Sequence, residues 1–139
     1  MAIPALGYSH VRLTVTDIVR SRKFYDDVFG FPVAYEMPPD ADDATREALW
    51  FLFGGVIYQV GTGLFGLRPV ATEGDRFDEN RVGLDHLSFG VAGIDEMNAA
   101  AAMLDSYGVV HGGVKNIGAA FLLEFRDPDN ISLELFAPA

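Results

Sequence analysis

Residues 125–136, FRDPDNISLELF, read as a strand, a tight turn and a second strand. Pro128 presets its own φ and Asn130 tolerates the left-handed region, which suits residues 127–130 to the turn. In the second strand Ile131, Leu133 and Leu135 alternate with Ser132, Glu134 and Phe136. A period of two sends the aliphatic side chains to one face and Glu134 to the other. An ionised carboxylate in a closed apolar interior costs several kcal/mol unless it is paired or metal-bound. Glu134 therefore faces solvent or a polar cavity, and the rest of the chain has to decide which.

Outward from this segment the chain spells one pattern twice. Residues 10–17, HVRLTVTD, place Val11, Leu13 and Val15 on one face and His10, Arg12 and Thr14 on the other, as a half-buried strand does. Asp17 is placed to cap a helix in which Ile18, Ser21, Phe24, Tyr25, Val28 and Phe29 recur at helical spacing, with Gly30 at its end. A short strand over 33–37 leads to an acidic loop at 38–43. Further strands are expected at 47–53 and 56–60, joined by a tight hairpin at Gly54-Gly55. Residues 61–82 read as a connector. The order then repeats: a strand over 84–91, a helix over 94–107 with Ile94, Met97, Ala101 and Leu104 as its buried stripe, and strands at 109–114, 120–125 and 131–136.

His86 lies 76 residues after His10, and Glu134 lies 75 after Gln59. Near-equal offsets at both ends indicate a tandem repeat of a ~50-residue module. The expected fold is α+β: a single domain of two βαβββ modules, about 8–62 and 83–137 with a connector over 63–82. Their mixed sheets would curve round a shared cleft with the helices outside, since neither module alone can bury a core.

Composition narrows the function. The net charge of −10 opposes a nucleic-acid backbone or an anionic membrane. No cysteine is present, which removes disulfides, thiolate metal sites and cysteine nucleophiles. No apolar run approaches the ~20 residues of a membrane span, so a soluble, cytoplasmic protein is expected.

The repeat singles out His10, Gln59, His86 and Glu134, each the metal-competent member of its strand's polar face. Nitrogen and oxygen ligands without sulfur suit one divalent ion: zinc, nickel, cobalt, manganese or iron. The chain here resembles the vicinal oxygen chelate superfamily, which includes glyoxalase I, methylmalonyl-CoA epimerase, extradiol dioxygenases and the fosfomycin and bleomycin resistance proteins. The resemblance rests on His10, on Ser21-Arg22-Lys23-Phe24-Tyr25 with Gly30-Phe31-Pro32, on Leu84-Asp85-His86-Leu87-Ser88-Phe89, and on Phe125-Arg126-Asp127-Pro128-Asp129-Asn130 with Leu133-Glu134-Leu135. It implies His10, His86 and Glu134 as metal ligands, with Gln59 in the fourth position.

The resemblance further implies a small-molecule substrate held through neighbouring oxygens, and a homodimer. Proton transfer falls to Glu134, or else to Glu47 or Glu124 on neighbouring strands. Three functions stay open: a lyase or isomerase using all four ligands, an Fe(II) dioxygenase using His10, His86 and Glu134, and a metal-free antibiotic binder. Arg12, beside His10, could pair an anionic substrate, and His111 reads as a surface or loop residue.

Overall fold

Asp17 starts the first helix. Its Oδ1 accepts from the backbone N–H groups of Val19 and Arg20 at 2.9 and 3.1 Å, satisfying two donors that a helix N-terminus otherwise leaves open. The computed structural model describes Met1–Ala139, and the chain divides into two compact units, Met1–Gly74 and Asp75–Ala139.

The first unit runs β1 (His10–Thr14), α1 (Ile18–Val28), β2 (Val33–Glu36), α2 (Asp43–Ala48), a 3-10 turn (Trp50–Leu52), β3 (Val56–Val60) and β4 (Gly63–Arg68). Its sheet has the order β1-β4-β3-β2, with β1 parallel to β4 and the other pairs antiparallel. Leu13, Val15, Val56, Tyr58, Phe65 and Leu67 are buried, as is Tyr25 of α1. Each such large side chain stabilises the fold by ~1.5–3 kcal/mol when removed from water. Tyr58 donates its hydroxyl to Asp26 Oδ1 at 2.8 Å. Burial, then that bond, pushes the phenol pKa well above its ordinary value.

Two expectations for this unit are overturned. Residues 47–53 form no strand, because Asp42 Oδ1 accepts from Thr45 N at 2.8 Å and caps α2, whose alanines, Arg46 and Glu47 favour a helix. The apolar run at 50–53 is too short for its period to separate strand from helix. Gly54-Gly55 therefore joins the 3-10 turn to β3. The expected connector contains β4, and the two-residue hairpin lies at Gly61-Thr62, between Val60 and its partner Gly63.

The second unit runs β5 (Leu87–Gly90), α3 (Ile94–Ser106), β6 (Lys115–Asn116), β7 (Ala120–Arg126) and β8 (Ser132–Pro138). Its order is β5-β8-β7-β6, with β5 parallel to β8. Met97 and Leu104 of α3 are buried, as are Leu123, Phe125, Leu133 and Leu135, while Ile94 stands exposed at the end of the expected stripe. The strand expected at 109–114 is reduced to a lone bridge between His111 and Phe125, followed by the two-residue β6. The turn before β8 closes as expected. Asp127 Oδ1 accepts from Asp129 N and Ile131 N, both at 2.9 Å, and Asn130 holds φ 68°.

The two sheets match strand for strand: β1 with β5, β4 with β8, β3 with β7 and β2 with β6. The sequence offset that laid 56–60 over 131–135 paired the wrong strands, because β3 corresponds to β7. The true counterpart of β8 is β4. With His10 matched to His86, Arg12 matches Ser88. Arg12 pairs with Gly66 where Ser88 pairs with Glu134, so the counterpart of Glu134 is Gly66.

Candidate metal centre

Glu134 is 8% exposed, on the face of β8 opposite Leu133 and Leu135. Ser88, its partner on β5, donates its hydroxyl to Glu134 Oε1 at 2.7 Å. The other oxygen, Oε2, lies 3.8 Å from His86 Nε2. His86 stands one residue before β5, on the same side as Ser88 because side chains two apart share a face.

His86 Nδ1 sits 2.6 Å from Asp85 Oδ1. An ionised carboxylate only accepts, so Nδ1 carries the proton, and when the ring is neutral Nε2 is the lone-pair nitrogen that faces Glu134. The bond to Asp85 raises the His86 pKa, burial opposes the rise, and the charge on Glu134 adds to it. A ring oriented through its far nitrogen by a carboxylate is the usual support for a metal-binding histidine.

The pair passes a simple test of fit. Nitrogen and oxygen ligands sit ~2.0–2.2 Å from a zinc-like ion, so two atoms sharing one ion lie no more than ~4.2 Å apart. Their 3.8 Å separation falls inside that limit. His, Asp and Glu side chains form no group of three or more at metal-holding spacing.

In the first unit His10 and Gln59 share one row of the sheet, each paired with Leu64 of β4 between them. Gln59 spends Nε2 on the carbonyls of Gly61 and Gly63, both at 2.9 Å, and keeps Oε1. His10 Nδ1 meets Ser9 Oγ at 2.9 Å. A pocket of about 380 Å³ opens on this face, lined by His10, Arg12, Tyr35, Phe51, Ile57 and Leu64 among others.

Of the other acids considered, Glu47 lies on α2 and not on a strand. Glu124 opposes Glu134 in the register but pairs with Lys115 Nζ at 3.2 Å. His111 bridges Asp105 Oδ1, at 2.9 Å, and the N–H of Gly113, at 3.1 Å, which is a structural role. Sequence reading missed Asp85 and Ser88 as supports. Both were findable, since one adjoins His86 and the other lies two residues on, at the same face.

Paired modules of identical strand order, the second carrying a His–carboxylate pair, agree with the family match. The chain matches the Glyoxalase/Bleomycin resistance protein/Dioxygenase superfamily over residues 7–135. It belongs to that superfamily. A relative described as the uncharacterized protein YaeR of Escherichia coli (strain K12) is 30% identical over 130 residues, covering 91% of this chain and 92% of its own. Among solved structures, a glyoxylase/bleomycin resistance protein/dioxygenase domain from Frankia sp. EAN1pec shares 26% identity at a TM-score of 0.76, covering 97% of this chain and 93% of that one. The fosfomycin resistance protein FosX from Listeria monocytogenes, complexed with Mn(II) and sulfate, shares the superfamily fold at a TM-score of 0.70 and 17% identity, covering 97% and 92%.

Proposed function

We propose that the protein is a divalent-metal-dependent enzyme of the glyoxalase type, carrying out lyase or isomerase chemistry on a small substrate held through neighbouring oxygens. The observation that carries this reading is the His86 Nε2–Glu134 Oε2 pair at 3.8 Å, with Asp85 behind the imidazole and Ser88 on the carboxylate. His10 is the counterpart of His86 at the repeat position of the first unit, and a homodimer is the assembly the reading expects. Gln59, whose amide nitrogen bonds the carbonyls of Gly61 and Gly63, keeps Oε1 for the fourth position. The Mn(II) of the FosX structure supports a divalent ion as the metal class.

A bound divalent ion supplies Lewis-acid polarisation of a substrate oxygen. Glu134, once Oε2 is free of the ion, would accept the proton there, while the Ser88 hydroxyl holds Oε1 and fixes the plane of the carboxylate. His86 is held in one tautomer by Asp85. The test is solvent-deuterium incorporation next to the carbonyl in a panel of small α-hydroxycarbonyl compounds. Exchange by the metal-loaded wild type, lost in Glu134→Gln, is expected; no exchange with any of the five ions would overturn the lyase or isomerase reading.

One observation favours a second reading. Gly66 stands where the first module would place a carboxylate matching Glu134, which leaves two histidines and one carboxylate, the donor set of non-haem Fe(II) oxygenases. Oxygen consumption with a catecholic probe, dependent on Fe(II) and unaffected by Gln59→Ala, would support it over the first.

A further inference from the structure

The face of the first sheet beside His10 carries two cations that the fold does not neutralise, Arg12 in the wall of the pocket and Arg68 next to it, sharing the Phe53 ring. Arg12 and Arg68 project from the same face of the first sheet, on rows two residues apart. Both approach the ring of Phe53, with their guanidinium carbons 5.8 and 4.3 Å from its centroid. The chain carries 20 acidic against 10 basic side chains, and Arg22, Lys23, Arg81, Lys115 and Arg126 each pair with a carboxylate. Neither Arg12 nor Arg68 meets one. Arg12 makes a single bond, from Nη2 to the Leu52 carbonyl at 3.0 Å, and its enclosed Nε has no partner. Leaving such a donor unsatisfied destabilises the fold. Burial, then the charge of Arg68, lowers the Arg12 pKa.

Gly66 makes this arrangement possible. A Cβ at that position would lie 3.0 Å from Arg12 Cγ and 3.5 Å from Cδ, so the arginine stem crosses β4 through the space a side chain would fill. Where the second module carries Glu134, the first carries the stem of a cation. Apart from His10, the rest of the pocket wall is mainly apolar, through Tyr35, Phe51, Ile57 and Leu64.

We propose that Arg12 and Arg68 form an anion-binding subsite that takes the phosphonate or carboxylate end of a small organic anion whose apolar body lies against Tyr35, Phe51 and Ile57. The subsite deepens the reading above by naming the substrate class, and it rests on that reading only in assigning the anion to the substrate. Guanidinium groups suit the ligand because they donate in pairs to planar or tetrahedral oxyanions.

The test uses the full chain stripped of metal, with phenylphosphonate and its uncharged dimethyl ester as calorimetric probes. Wild type is expected to bind phenylphosphonate at about millimolar or tighter, with affinity falling as salt rises, and to bind the ester at least tenfold more weakly. Arg68→Gln, which removes no hydrogen bond from the fold, should bind phenylphosphonate at least tenfold more weakly with an unchanged melting temperature. Arg12→Lys, which keeps the charge but loses the fork, should fall between. No binding by wild type, equal binding of acid and ester, or full affinity in Arg68→Gln would overturn the subsite. Because metal is absent throughout, this result stands or falls apart from the metal reading.

Discussion

Glu134 divides its carboxylate between two tasks, one oxygen held by Ser88 and the other turned to His86. If that division positions a metal ligand, loosening it weakens the ion without unfolding the chain. Ser88→Ala and Asp85→Ala are each expected to lower metal affinity by ~10–100-fold, measured by competition with a chromophoric chelator. Melting temperatures near that of wild type would show that the loss is local. Unchanged affinity in both variants would show that neither residue supports the pair. Glu134 was readable from the sequence, because its strand alternates cleanly and the Asp127–Asn130 turn fixes where that strand starts. Gly66 was not, because a residue with no side chain gives no signal until the strand register shows what it stands opposite.

At the level of elements, two local contacts carry measurable consequences. A Cβ at Gly55 would lie 1.8 Å from the Leu67 carbonyl oxygen, so Gly55→Ala must push β3 away from β4. The expected cost is roughly 2–4 kcal/mol by chemical denaturation. In the second unit Arg126 grips Glu79 through Nη1 and Nη2 at 2.9 and 2.6 Å and holds the carboxyl pKa down at about 2. A depressed acid stabilises the folded state above its unfolded pKa, and that contribution is lost as pH falls through the folded value. Wild type should therefore exceed Glu79→Gln in stability at neutral pH, with the gap closing between about pH 4.5 and 2. A gap independent of pH would remove the ion pair as its cause. These elements also show where periodicity fails: α2 and the 3-10 turn span too few residues to declare a period, and β4, with glycine at 63 and 66, lacks the alternation that marks β1 and β8.

Over the whole chain, the tandem repeat was legible because His10 opens β1 and its counterpart His86 immediately precedes β5, and because α1 and α3 each follow a similar strand. The pairing of the remaining strands was obscured by α2, which the first module inserts and the second lacks. The insertion made β3 mimic the position of β8 and laid Gln59 over Glu134. No helix is long and apolar enough to cross a membrane. The central claim, a metal held by His86 and Glu134, is tested most directly by elemental analysis of untagged protein beside a His86→Ala, Glu134→Gln double variant, after reconstitution with zinc, nickel, cobalt, manganese or Fe(II). The account predicts about one ion per chain in the wild type and none in the variant. No retained ion in the wild type, or equal retention in both, would contradict it.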